Sequence, residues 1–260
     1  MEAVLFTSIP KCGTHLLLNY LTATRFEHAG PFGKIGWEDN FVDYVENLRP
    51  GQYSAWHFRW TERLSTIVRT KNVRVIFLYR DPRAHLVSKL NWVMTQSAHA
   101  WHPYFVDILQ NRRERMLRLI EGIPPEDVKR YLPGFDFLDP VSPAAPKSPL
   151  PAGINWVYGT FAGWLTDAQS LPVKYEDIVG PRGGGDTERQ TETVRKIMEF
   201  TGVDTRQVDL QTVVDSLYDE KSTTFRKGRI DSWRDEFDPE FEEVFLRQSK
   251  GLLDLYGYIR

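Results

Sequence analysis

The chain of 260 residues is 41% hydrophobic and 26% charged, the balance of a soluble globular protein with enough length to bury a substantial core. Its net charge of −2 gives no electrostatic footprint for nucleic acid or an anionic membrane as partner. A single cysteine, Cys12, excludes an internal disulfide framework and a multi-cysteine zinc site, and it fits a reducing compartment.

No signal-peptide pattern precedes the first strand and no apolar run approaches transmembrane length, so a cytoplasmic location is expected. The apolar run Val4-Leu5-Phe6 predicts a buried strand. A turn holding Pro10 and Gly13 follows, and then a helix from Thr14 to about Thr24. A strand that enters a helix through a tight turn aims several backbone N–H groups and the positive end of the helix dipole at one spot. Lys11 adds a formal positive charge there, which makes the segment a phosphate cradle. The nucleoside triphosphate form of that cradle needs Gly where Ser8 stands and Lys after the second Gly, whereas Lys11 precedes Gly13.

Residues 27–51 are rich in Gly, Pro and aromatics and predict a ligand-side loop, with a short helix within Trp37 to Asn47. Gln52 to His57 predicts a short strand ending at a polar residue, and Thr61 to Arg69 a helix with a Thr cap. Val73 to Tyr79 is nearly all apolar and β-favouring, as a central parallel strand should be; Ala84 to Trp92 continues as a helix. Further helices are expected over Asn111 to Glu121, Asn155 to Gln169 and Thr191 to Gly202, with a closing amphipathic helix from Pro239 to Tyr256. Leu171 to Asp177 predicts a strand leading into a polar turn, and Pro181 to Asp186, with three consecutive Gly, a flexible surface loop. Pro140 to Pro151 is too Pro-rich for regular structure, so residues 95–155 are expected to form a lid or acceptor-side insertion within one domain spanning 1–260.

Strand and helix alternate, which predicts an α/β fold: a single domain with a central, mainly parallel sheet flanked by helices, opened by the strand–loop–helix cradle. Ligands of such sheets bind beyond the carboxyl ends of the strands, which places Lys11, His57, Arg80 and Tyr175 on one rim.

Four strings carry a family resemblance. Pro10-Lys11-Cys12-Gly13-Thr14-His15 resembles the phosphate loop of sulfotransferases that use 3′-phosphoadenosine 5′-phosphosulfate (PAPS). Arg80-Asp81-Pro82-Arg83 with Ser88 resembles the family's segment whose Arg and Ser bind the 3′-phosphate, although the family often has an acidic residue at Arg83 or Ala84. Phe225-Arg226-Lys227-Gly228, followed by Trp233, resembles the family's second 3′-phosphate clamp, with Asp231 where a Gly is usual, so the turn after the clamp is expected to differ. Tyr175-Glu176-Asp177 resembles a segment whose Tyr contacts the adenine. The place of the family's general base is taken by His57, without the Lys of its Lys-Thr-His motif, and Leu16 replaces a Trp near the adenine.

The resemblance implies a metal-independent transfer of the sulfuryl group from PAPS to a hydroxyl, or less readily an amine, leaving 3′-phosphoadenosine 5′-phosphate (PAP). It implies His57 and Lys11 as catalytic groups. Lys11, Cys12, Gly13, Thr14, His15, Arg80, Ser88, Tyr175, Phe225, Arg226, Lys227 and Gly228 would be the nucleotide contacts. Trp37, Trp92, Trp101, Trp156 and Tyr158 are expected to ring the pocket, which points to a small apolar or aromatic acceptor. His99 and His102 are expected to be loop features rather than metal ligands. The rival readings are a P-loop kinase, which would need Lys after the second Gly, and a non-catalytic PAP-binding module.

Overall fold

Every residue of strand β1 (Ala3–Ser8) is buried, as a strand covered on both faces must be. Around it lie β2 (Glu27–His28), β3 (Gln52–Trp56), β4 (Val73–Tyr79) and β5 (Ser170–Lys174), in the spatial order β2-β3-β1-β4-β5. All four neighbouring pairs are parallel. This computed structural model describes residues 1–30, 44–99, 101–131, 153–218, 228–249 and 251–258. The helices in chain order are α1 (Thr14–Ala23), α2 (Glu62–Thr70), α3 (Pro82–Thr95), α4 (Arg112–Glu121), α5 (Pro125–Tyr131) and α6 (Gly153–Gly159). They continue with α7 (Tyr175–Ile178), α8 (Thr187–Phe200), α9 (Leu210–Ser216), α10 (Pro239–Ser249) and α11 (Leu252–Leu255). No described helix is long and apolar enough to cross a membrane.

The chain divides into two compact units, residues 1–80 with 161–230 and residues 81–160 with 231–260. The first holds the whole sheet. Val4, Phe6, Ile76, Leu78 and Val173 pack with Leu17 and Leu21 of α1, Val194 and Ile197 of α8 and Val213 of α9. Strand alternation sends Phe77 to the opposite face, where it stacks on Phe161 at 6.1 Å. Parallel pairing puts all five carboxyl ends on one edge, so the class and layout expected from the sequence hold.

In the second unit α3 begins at Pro82, with Asp81 as N-cap accepting from the Arg83 N–H at 2.8 Å. Asp81 also takes both ends of the Arg83 guanidinium, at 3.1 and 2.8 Å, and the same guanidinium lies 4.1 Å from the centre of the Trp233 ring. Arg83 is therefore the core of a buried ion pair, which accounts for a basic residue where the resemblance would put an acidic one. Asp231 takes φ +51, the left-handed backbone a glycine would adopt, so its substitution for Gly leaves the turn in a glycine-like conformation.

Several expectations are corrected. Strand β5 stops at Lys174, and the polar turn expected after it is helical, Tyr175–Ile178. The aromatic helix expected over 155–169 ends at Gly159 and resumes as a 3₁₀ turn, Ala162–Leu165; Gly163 lies so close to Trp60 that a Cβ would come within 2.2 Å of the indole. Pro181 to Asp186 is no loose surface loop. Pro181–Gly183 is a 3₁₀ turn, and a Cβ on buried Gly183 would meet the Gly228 carbonyl at 2.6 Å. The closing helix breaks at Gly251, φ +83. The short helices α5 and α9 and a π-helical turn, Tyr104–Ile108, were not anticipated. Residues 31–43 and 132–152, including Trp37 and the Pro-rich stretch, lie outside the described residues.

Asp81→Ala removes a helix cap and leaves the buried Arg83 guanidinium with the longer, half-exposed contact to Glu242 at 3.5 Å in place of its two-point carboxylate. Urea unfolding should show a loss of about 3–5 kcal/mol, the usual cost of breaking one side of a buried pair. A loss below about 1 kcal/mol, typical of an exposed pair, would contradict the buried lock.

Candidate functional site

The segment between β1 and α1 is shaped by two left-handed residues, Lys11 at φ +66 and Gly13 at φ +94. Between them the Cys12 N–H donates to the Ile9 carbonyl at 3.2 Å, while the Ile9 N–H is held by the Leu78 carbonyl of β4 at 3.2 Å. Such alternation turns successive N–H groups toward one side, a concavity suited to an anion. Among the described residues six other helices have a side-chain N-cap, from Thr61, Asp81, Asn111, Asp186, Asp209 and Asp238. Helix α1 starts on Gly13 with no side-chain cap and no acidic residue in its first turn. The Leu16 N–H folds back onto the Gly13 carbonyl at 2.9 Å, and the turn ahead of it carries no side-chain acceptor from the N-cap, the arrangement at which helix starts receive anions. Burial lowers the Lys11 pKa to about 8, partly offset by Cys12, so this ammonium sits where its charge is costly without an anion.

Tyr175, directly after β5, braces the cradle from below. A Cβ on Gly13 would fall 2.6 and 2.8 Å from two carbons of its ring, so only glycine allows this approach. The Tyr175 hydroxyl donates to the Gly228 carbonyl at 2.7 Å. Arg80, directly after β4, lies 4.2 Å from the centre of the Tyr175 ring and donates to the Arg229 carbonyl at 2.7 Å. The Ile230 N–H donates to Gly183 at 2.9 Å. Residues 228–230 are therefore fastened to the rim at three points. Buried in this way, Tyr175 acts as a brace for the loop and for Gly228, and burial raises its pKa to about 12.

His57, directly after β3, reaches across to the end of β1. Its Nδ1 donates to the Ser8 carbonyl at 2.7 Å and lies 3.2 Å from Ser8 Oγ. A carbonyl only accepts, so the neutral ring carries its proton on Nδ1 and its lone pair on Nε2. Ser8 Oγ is in turn 3.0 Å from Thr14 Oγ1 at the start of α1. Lys11, Gly13, Thr14, His57, Arg80, Tyr175 and Gly228 thus converge in the first unit, together with buried Cys12 and half-buried His15.

Sequence reasoning missed Ser8 as a site residue; the signal was a hydroxyl closing an otherwise apolar strand just ahead of the loop. Ser88 is half-buried on α3 and belongs to the second unit. Phe225, Arg226 and Lys227 lie outside the described residues. Trp101 and Tyr158 are interior residues, 1% and 0% exposed. His99 Nδ1 accepts from the Trp101 N–H at 3.2 Å and His102 Nδ1 donates to the Val93 carbonyl at 2.8 Å, so one nitrogen of each ring is held by backbone.

The architecture has solved counterparts. The crystal structure of mouse sulfotransferase SULT7A1 complexed with PAP superposes with a TM-score of 0.60 at 15% identity, over 99% of this chain and 89% of that one. This is the sulfotransferase fold. Retinol dehydratase matches over 96% of this chain and 80% of its own, with TM-scores of 0.55 in complex with androsterone and PAP and 0.54 in complex with retinol and PAP, at 14% and 15% identity. No protein-family model matches the sequence, and no curated protein does.

Gly13→Ala forces a left-handed alanine against the Tyr175 ring. Gly51→Ala supplies the control, because Gly51 shares a positive φ of +81 but faces only the end of Met1 at 3.6 Å. Thermal unfolding should show Gly13→Ala losing clearly more than the roughly 1 kcal/mol of backbone strain expected for Gly51→Ala. Equal losses would remove the argument for close approach.

Proposed function

We propose that this chain transfers a sulfuryl group from PAPS to the hydroxyl of a small acceptor. The observation that carries the reading is the fixed His57 ring, tied by Nδ1 to the last residue of the strand that enters an uncapped, lysine-bearing anion cradle. The donor set fits the 5′-phosphosulfate of PAPS: N–H groups at an open helix start, the Thr14 hydroxyl, and a lysine whose charge is under-solvated. PAPS brings the activated sulfuryl group. The chain's part is to orient that group and to move a proton.

Nε2 of His57 takes the acceptor's proton as the acceptor oxygen forms its bond to sulfur. The S–O bond to the phosphate breaks and its electron pair leaves on the phosphate oxygen. Lys11 and the N–H groups at the start of α1 offset the charge that grows there. Arg80 and Tyr175 act by holding the Gly228–Arg229 backbone at the rim, where a 3′-phosphate clamp is expected from the resemblance. The acceptor class follows the neighbours, since retinol dehydratase was crystallised with retinol and with androsterone, both small apolar molecules carrying a hydroxyl. A cytoplasmic location accords with the lone buried Cys12.

Turnover of labelled PAPS with a panel of small apolar alcohols tests the reading. His57→Ala should leave PAP affinity within about threefold while lowering kcat by roughly 10²–10⁴-fold, the usual cost of removing a general base. Loss of PAP binding together with kcat would assign His57 to the cradle's architecture instead.

Lys11 gives a second, acceptor-free test. In the free protein it titrates near 8, and a bound anion favours its charged form, so PAP binding at about pH 9 should draw in close to one proton. Near pH 7 Lys11 is already charged and this uptake should vanish, while affinity should fall as pH rises past 8. Calorimetry in buffers of different ionisation enthalpy reads the proton directly, and Lys11→Met should abolish the uptake. Uptake that persists in Lys11→Met would place the titrating group elsewhere.

A further inference from the structure

The end of β1 holds a hydrogen-bond chain whose direction is determined by what each group can donate. The Ser8 carbonyl can only accept, so His57 Nδ1 carries a proton, directed at that carbonyl at 2.7 Å and within 3.2 Å of Ser8 Oγ. The hydroxyl of Ser8 therefore has no acceptor in the ring. Ser8 is completely buried, and among the described residues its hydroxyl meets only His57 Nδ1 and Thr14 Oγ1. A buried hydroxyl proton left unspent is costly, so Ser8 donates to Thr14 at 3.0 Å. The Thr14 oxygen then accepts from within the protein, and its own proton remains for an acceptor in the cradle. Thr14 is half-buried at the first position of α1, where that proton can reach a bound anion.

We infer that Ser8 is a positioning residue, which fixes the Thr14 hydroxyl as a donor to the anion in the cradle and couples it to the charge state of His57. The inference rests on the proposed sulfuryl transfer. The consequence is chemical as well as geometric. When Nε2 takes the acceptor's proton, the ring becomes an imidazolium and Nδ1–H becomes a stronger donor. Hydrogen-bonded chains polarise cooperatively, so the Ser8 and Thr14 hydroxyls strengthen in turn. The added donor strength arrives at the leaving phosphate in the step that puts charge on it. One serine thus links the base at one end of the in-line transfer to the leaving group at the other.

A double-mutant cycle on PAP binding separates this arrangement from simple packing. Calorimetry would be run on the wild type, Ser8→Ala, Thr14→Val, the double variant and Thr14→Ser. If Ser8 acts through Thr14, Ser8→Ala should weaken PAP by several-fold and Thr14→Val by about tenfold. The double variant should then lose no more than Thr14→Val alone, within about twofold. Thr14→Ser, which keeps the hydroxyl, should stay near wild type. Imidazole ¹⁵N spectra should place the His57 proton on Nδ1 in the wild type and in Ser8→Ala alike, because the backbone carbonyl survives the substitution.

Losses that multiply in the double variant would overturn the coupling, as would an Nε2-protonated His57 in the wild type. If Ser8→Ala does not fold, the comparison of Thr14→Val with Thr14→Ser still decides whether the hydroxyl faces the anion: equal affinities would overturn the inference. A wild type that fails to bind PAP would instead dismiss the sulfotransferase reading on which the inference stands.

Discussion

The first unit depends on one close approach, the backbone of Gly13 lying on the ring of Tyr175. No side chain beyond hydrogen fits there, and the positive φ that the approach requires is the same one that ends the loop and starts α1. The packing of β1 against its neighbours therefore determines where the helix N-terminus opens. Tyr175 is held in turn by its hydroxyl on Gly228 and by Arg80 over its ring. The cradle, the ends of β4 and β5, and residues 228–230 consequently share one set of contacts. A change at any of them reaches the others without passing through the sheet core.

This arrangement concentrates cost in order to gain binding. Lys11 is both half-buried and left-handed, two conditions that elsewhere would select against lysine. Helix α1 forgoes the side-chain cap that α2, α3, α4, α8, α9 and α10 all possess, each cap being worth about 1 kcal/mol. Both deficits are relieved by an anion, and by the same anion. Local stability given up at a helix start beside an under-solvated ammonium is the pattern expected of the phosphate site proposed here.

The features legible from sequence were those written in local pattern. Val73 to Tyr79 was readable to the residue, because a fully buried parallel strand is a continuous apolar run. The cap at Thr61 and the turn around Gly13 were readable from short-range chemistry. What escaped depends on partners distant in sequence. Tyr175 looked like a ligand contact, yet its position is set by Gly13 and Gly228, 162 residues earlier and 53 later. The glycines at 183 to 185 suggested slack, although Gly183 is small because another backbone passes over it. Arg83 departed from the resemblance, and the reason lies at Asp81 and Trp233, where a carboxylate and an indole face complete the environment of the guanidinium.

The strand ends show why the fold suits group transfer. Parallel pairing places the carboxyl ends of β1, β3, β4 and β5 side by side at strand spacing, roughly 5 Å apart. Each end delivers one chemically distinct element within the next few residues: an anion cradle, an imidazole, a guanidinium and a phenol. None of these residues needs to be near another in sequence, and none has to distort the sheet to reach the rim. Hydrogen bonds to backbone carbonyls then set their orientation, His57 on Ser8, Arg80 on Arg229 and Tyr175 on Gly228. Backbone acceptors survive substitution of the side chain above them. The geometry of the rim is therefore carried by the sheet and its connecting main chain, and in the arrangement we infer Ser8 adjusts how strongly the groups there act on one another.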